Sequence, residues 1–158
     1  MRAALCPAYG PPEIVQVTEV APPPLEAGQV RVNISAAAVN FPDVLLVANE
    51  YQLTVPPPFI PGSEFAGVVS EVASDVTDLS IGDRVIGTTL VGAFAQETTV
   101  ATSALTRIPP GINLRSAAAF GVAHRTAYHV LRSVARVKPG DELIVLGAGG
   151  GVGPVCNG

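Results

Sequence analysis

Seven consecutive residues, Gly147-Ala148-Gly149-Gly150-Gly151-Val152-Gly153, have the composition of a turn that holds phosphate. A pyrophosphate approaches a backbone closely only where side chains are absent and where unpaired N–H groups at a helix N-terminus face the anion. Ala148-x-Gly150-x-x-Gly153 supplies such a turn directly after Glu142-Leu143-Ile144-Val145-Leu146, a short β-prone run. A strand feeding a glycine turn opens a nucleotide-binding βαβ unit. Taken as letters alone, a flexible glycine-rich end fits the same stretch. Only Pro154-Val155-Cys156-Asn157-Gly158 follow, so the acidic residue expected ~20 positions further on for the ribose has no place in the sequence. The turn reads as a beginning without its second half.

Other residue types capable of chemistry lack partners. His124 and His129 lie five apart, on different faces of a helix, and no Cys, His or carboxylate neighbour completes a ligand set or a triad around either. Both read as structural or solvent-exposed. No Ser sits in a GxSxG-type elbow, so nucleophilic hydrolysis has no support. Cys6 and Cys156 are the only cysteines and stand at opposite ends, the pattern of two free thiols in a reducing compartment.

The elements that must position these groups change character along the chain. From Met1 to about Pro110, Val30, Val32 and Ile34 alternate with Arg31, Asn33 and Ser35, the period of a half-buried strand. Similar runs follow at Phe65–Val72, Arg84–Gly87, Phe94–Val100 and Ala104–Ile108, each bounded by turn residues, which predicts a small barrel or sandwich. One helix interrupts it at Asn40-Phe41-Pro42-Asp43, where Asn can cap, Pro fits the first turn and Asp suits the positive end of the helix dipole. After Pro109-Pro110-Gly111 the period changes. Phe120, Ala123, Ala127, Val130 and Val134 follow helical steps, and Lys138-Pro139-Gly140-Asp141 stops that amphipathic helix.

The 158 residues are 48% hydrophobic and 14% charged, enough for one ordinary core without a disulfide framework or structural metal. Nine basic against thirteen acidic residues, with no basic cluster, disfavour a nucleic-acid partner. No run approaches the ~18–20 apolar residues of a membrane span, and the opening MRAALCPAYG lacks the apolar region of a signal peptide. A cytoplasmic location without membrane contact is the expectation.

The order of motifs resembles the quinone oxidoreductase (zeta-crystallin-like) branch of the medium-chain dehydrogenase/reductase superfamily. Ala38-Val39-Asn40-Phe41-Pro42-Asp43, Tyr51-Gln52 and Pro61-Gly62-Ser63-Glu64-Phe65-Ala66-Gly67 carry the resemblance first. Gly82-Asp83-Arg84-Val85, Gly92-Ala93-Phe94-Ala95, Thr126-Ala127-Tyr128 and Ala148–Gly153 follow in the family's order and approximate spacing. The resemblance implies a mainly β fold: a GroES-like β-barrel catalytic domain over residues 1–115, then a linking helix and the first strand of a truncated NAD(P)-binding Rossmann domain over 116–158. It also implies NADP(H) as cofactor, hydride transfer to a quinone or to an activated alkene or carbonyl, and a chain that matches an N-terminal portion.

Carried over by motif, Asn40, Asp43 and Tyr51 line the cleft near the nicotinamide as catalytic groups, with Asn40 also touching cofactor. An Asn offers donor and acceptor, and a Tyr hydroxyl can donate to an oxygen that gains charge. Helix capping by Asn40 and Asp43, and a rim position for Tyr51, fit the same residues. Thr126, Tyr128, Ala148, Gly150, Gly151, Val152 and Gly153 are the implied cofactor contacts, although Ala127 and Tyr128 also suit helix packing. Glu64 reads more readily as a buried acid holding backbone amides around its turn. No metal is expected. Where the zinc enzymes of the superfamily carry a Cys and a His ligand this chain has Asn40 and Ser63, and neither is a good zinc ligand. A non-catalytic GroES-like binding or structural module is the alternative function. Without a partner domain the apolar surface predicts a homo-oligomer.

Overall fold

Alternation of Val30, Val32 and Ile34 with polar neighbours requires one dry face, and the computed structural model, which describes residues 1–156, supplies it. Val30 and Val32 are fully buried on strand β3 (Gln29–Ala38), while Asn33 and Ser35 remain exposed. β3 belongs to a five-stranded antiparallel sheet with β4 (Glu64–Val72), β5 (Arg84–Thr88), β6 (Glu97–Ala101) and β7 (Leu105–Arg107), in the order β6-β3-β4-β5-β7. A two-stranded ribbon of β1 (Arg2–Leu5) and β2 (Gln16–Glu19) is tied on by single bridges from Ala3 to Ala95 and from Cys6 to Phe59.

β4 is buried on both faces because each face has its own cover. Phe65 and Val69 join Val30, Val32 and Val85 in the main core, whereas Ala66 points the other way and packs with Ile108, Ala117 and Ala118. Those alanines come from a short helix, α2 (Leu114–Ala118), capped by Asn113, whose side-chain oxygen accepts the Ser116 N–H at 2.8 Å. Close approach around β4 leaves no room for side chains at two glycines. A Cβ on Gly67 would lie 2.2 Å from the Asn33 carbonyl oxygen, and one on Gly87 would lie 2.3 Å from the Phe65 ring.

The helix expected after Asn40 is α1 (Phe41–Ala48), which ends at Asn49 in the left-handed conformation (φ 57°). The strand expected from Phe94 begins only at Glu97. Phe94 instead donates its N–H to Pro61 (3.0 Å) and accepts from Ala4 (2.8 Å), joining the loop after residue 60 to β1.

Contacts divide the chain into two compact units, Met1–Ala119 and a second that starts at Phe120. In the second, α3 (Gly121–Tyr128) continues as a π-helical stretch over His129–Val134, with Ala135 N–H bonded five residues back to Val130. The expected apolar stripe is not buried as a whole: Ala127 is covered, but Phe120 before the wider turn and Val130 and Val134 within it are 52%, 43% and 65% exposed. Lys138 and Asp141 close the following turn with a 2.8 Å bond from the Lys138 N–H to the Asp141 carboxylate. The β-prone run Glu142–Leu146 is not a strand here. A strand is defined by its ladder, and among the described residues nothing pairs with this one, leaving Ile144 and Leu146 87% and 91% exposed. Also among the described residues, no helix is long and apolar enough to cross a membrane.

Gly67→Ala is expected to destabilise the first unit by about 3 kcal/mol, because the new methyl meets backbone that cannot yield. Phe65→Ala should cost about 3–5 kcal/mol through the cavity beside Gly87. Denaturant unfolding monitored by circular dichroism checks both.

Candidate functional site

Asn40 stands where β3 hands over to α1, in an extended conformation (φ −122°) that lets the helix start at Phe41. Its backbone N–H donates to Asp43 Oδ2 at 2.7 Å, the reach-back half of a capping box. Its side-chain amide turns to β4 instead, where Nδ2 donates to Glu64 Oε1 at 2.8 Å. With its NH2 toward Glu64, the amide leaves its oxygen toward the first turn of α1, where the Asp43 backbone N–H forms the other half of the capping box. The capping reading of Asp43 is thus observed directly.

Two acids converge on this point. Glu64 is 1% exposed and Asp43 3% exposed. Burial pushes the Asp43 carboxyl above the usual range, against the pull of the Asn40 N–H and of the Ser63 hydroxyl, while the charge of Glu64 adds to the rise and the Ser63 amide subtracts a little. Ser63 lies close enough to favour the charged form of Asp43 without meeting Oδ1 in hydrogen-bond geometry, so Asp43 Oδ1 and Ser63 Oγ are both buried without a partner. Thr89 Oγ1 is in the same condition, and its backbone N–H bonds the Ser63 carbonyl at 2.8 Å. The sequence reading passed over Thr89, because only the β4–β5 register, Glu64 opposite Thr88, brings it to Ser63.

Tyr51 follows α1 and packs its ring on the apolar cluster of Cys6, Leu46, Val47 and Phe59. It makes no hydrogen bond to Asn40 or Asp43. Asn40, Asp43, Ser63 and Glu64 are therefore the residues that the first unit gathers, and Tyr51 is a half-buried neighbour of their helix. Among the described residues no three His, Cys, Asp or Glu side chains group to hold a metal ion.

The remaining candidates belong to the second unit. Thr126 and Tyr128 are both exposed on α3, but two residues apart they face roughly opposite directions. Tyr128 borders an apolar cleft of 460 Å³ with Phe120 and His124, whose rings stack at 4.2 Å. The glycine turn lines a different cleft, with Val130 and Leu131 on its far wall, that neither Thr126 nor Tyr128 reaches. Within that turn Gly147 has φ 72°, the Gly150 N–H closes on Gly147 at 2.9 Å, and a four-residue helix, α4 (Gly153–Cys156), begins. A Cβ on Gly153 would sit 2.5 Å from Ala148 Cα, so packing alone demands glycine there. Gly149 and Gly151 have nothing within 4 Å of a Cβ, so packing does not explain them. Their bare, open backbone is what close approach of a pyrophosphate requires, and to that extent the turn fits a dinucleotide.

Asp43→Asn tests the buried acid. Since its folded pKa is raised, protonation of Asp43 supports the fold fully below the unfolded value of about 3.9, and that support is lost as pH rises through the folded value. At pH 7 the wild-type chain carries the cost of a buried charge, whereas Asn keeps an oxygen for the Asn40 N–H. Thermal melts should show a higher Tm for the variant at pH 7 and a shrinking difference toward pH 4. A lower Tm at pH 7 contradicts the assignment.

Sequence and structure comparisons identify proteins similar to this chain. Residues 26–110 match the alcohol dehydrogenase GroES-like domain family. Quinone oxidoreductase-like protein 2 of Mus musculus is 40% identical over 152 residues, which is 96% of this chain and 43% of that protein. The crystal structure of a probable oxidoreductase from Mycobacterium abscessus superposes with a TM-score of 0.92 at 35% identity, over 99% of this chain and 50% of that one. Escherichia coli quinone oxidoreductase complexed with NADPH gives 0.91 at 29% identity, over 99% and 48%. The chain thus spans about half the length, or slightly less, of these relatives. With a GroES-like first unit and these relatives, the chain belongs to the quinone oxidoreductase branch of the medium-chain dehydrogenase/reductase superfamily and matches the N-terminal portion of its members.

Proposed function

We propose that this chain contributes the catalytic unit and the first phosphate-holding turn of a zinc-independent oxidoreductase that uses NADPH to reduce a quinone or an activated alkene or carbonyl. The observation that carries the reading is the Asn40 side chain, held at the head of α1 by Glu64 at 2.8 Å. Family membership supports hydride chemistry, and the similar Escherichia coli structure is an NADPH complex.

Bound NADPH supplies the hydride. Asn40 orients polar groups through its side-chain amide, its position fixed by Glu64 and by the capping bond to Asp43. Asp43, driven toward its neutral form by burial, can hold a proton at its carboxyl, and the Ser63 hydroxyl can receive or pass a hydrogen bond beside it. Tyr51 presents a phenol from the segment after α1 that can donate to an oxygen gaining charge. Zinc independence rests on donor chemistry: an amide engaged by a carboxylate and a hydroxyl replace the thiolate and imidazole that zinc favours. Gly149 to Gly153 would face the pyrophosphate, with Thr126 and Tyr128 as candidates for the nicotinamide half. Exposed Val134, Ile144 and Leu146 support self-association of the isolated chain.

Titration with NADPH, followed by the fluorescence of the reduced nicotinamide, is expected to saturate more tightly than with NADH. Gly151→Ala should weaken NADPH binding at least tenfold with an unchanged Tm, since its methyl enters open space rather than packed atoms. Absence of saturable binding at millimolar NADPH overturns the enzymatic reading of this chain and favours a GroES-like binding module. Equal binding by Gly151→Ala removes the turn from the cofactor site.

A further inference from the structure

Two features of this chain are unpaired in a single copy, and each has what the other lacks. The first is the far end of β3. Its ladder with β4 runs from Val30 to Ala38, whereas its ladder with β6 stops at Asn33, opposite Glu97. The Ile34 N–H still reaches the Gln96 carbonyl at 2.8 Å, and beyond it residues 35–38 have no strand on that side among the described residues. The cause is local. The register with β4 slips between Ile34 and Ala36, and a bulge of that kind bends the strand that carries it. Residues 94–96 turn to β1 instead, with Ala3 opposite Ala95. An open groove of 390 Å³ lies between, lined by Ala36, Ala37 and Ala95 with Val17, Ile34 and Phe94, and Arg2 is the one charged residue on it.

The second feature is the run of residues 142–146, β-prone in composition but outside every ladder among the described residues. Ile144 and Leu146, two apart and so on one face of an extended chain, are 87% and 91% exposed. A bare strand edge offers its N–H and C=O groups to any extended segment, and the side chains beside it set which segment fits. Alanine walls leave room for an isoleucine and a leucine. Five extended residues span ~17 Å and the four of the open edge ~14 Å, so the lengths agree. The charges agree as well: Glu142 heads the run and Arg2 stands in the groove, both exposed and neither in an ion pair among the described residues. A strand led by a basic residue would be repelled at that place.

We propose that the bare edge of β3 in one copy is completed by residues 142–146 of a second copy, added as an extended strand with Glu142 beside Arg2. Ile144 and Leu146 then cover the alanines of the groove. Each copy carries both an edge and a run, so two copies satisfy both by a reciprocal exchange. The inference rests on the self-association proposed above and assigns it a surface. It uses neither the cluster of Asn40, Asp43, Ser63 and Glu64 nor the glycines that follow the run.

The test combines sedimentation velocity of the full chain over a range of concentrations with amide hydrogen exchange. A dimer is expected whose formation slows exchange within residues 35–38 and at Ile144. Ile144→Pro removes a strand N–H at a position outside every ladder of the single copy, so it should leave the circular dichroism spectrum unchanged and weaken the dimer about tenfold or more. Arg2→Glu should weaken it about threefold at low salt, and Glu142→Arg in the same chain should restore it. A chain that stays monomeric at every concentration overturns both the self-association and this surface. A dimer that survives Ile144→Pro, or that forms without protecting residues 35–38, overturns this surface alone and assigns the association to another face. NADPH fluorescence in the same samples reports the oxidoreductase reading separately.

Discussion

A buried carboxylate is costly unless donors meet it, and Glu64, 1% exposed at the start of β4, is met from another element by Asn40 Nδ2 at 2.8 Å. That bond spans 24 residues and joins the end of β3 and the beginning of α1 to the middle strand of the sheet. Much of the first unit follows from keeping it. β3 must pair with β4 so that Ala38 lies opposite Glu64, the chain must leave β3 at Val39, and the helix must start at residue 41 with Asp43 reaching back to the Asn40 N–H. Asp43 is then drawn into the same buried region as Glu64, and the like charge adds to the burial that raises its pKa.

The sheet tolerates this polar cluster because its apolar side is packed independently. Phe65, next along β4, goes to the core with Val30, Val32 and Val85, and it occupies the space that Gly87 leaves on the neighbouring strand. Ala66 faces α2. Within three residues β4 thus serves a polar site, a large apolar core and a small-residue helix contact, which is why Glu64 to Gly67 are all buried. The second unit shows the opposite condition. Its apolar positions are read correctly as apolar, yet Val134, Ile144 and Leu146 lie exposed, since a β-prone run and an amphipathic helix bury surface only against further elements.

What the sequence discloses follows this division between local and distant causes. The start of α1 is legible because Asn40, Pro42 and Asp43 each act within one turn, and β3 is legible because Val30 and Val32 alternate with polar residues. The family is legible from the order of short motifs. The Asn40 to Glu64 bond is not, since it depends on strand register across 24 residues, and the approach of Thr89 to Ser63 depends on the β4–β5 ladder in the same way. Capping and cleft-lining remain open for Asn40 at the level of letters, and the geometry shows the capping directly: Asn40 and Asp43 form the capping box, while the Asn40 amide also reaches Glu64 on β4. The π-helical stretch at His129–Val134 escapes detection because an inserted register step leaves the hydrophobic letters unchanged.

The account stands on the link between Asn40 and Glu64, and a double-mutant cycle measures it directly. Asn40→Ala, Glu64→Gln and the double variant, compared with the wild-type chain by denaturant unfolding, isolate the coupling between the two side chains. A hydrogen bond to a buried carboxylate predicts a favourable coupling of about 1.5–3 kcal/mol. Additive single effects, with coupling indistinguishable from zero, would contradict the view that this bond sets the geometry of the site.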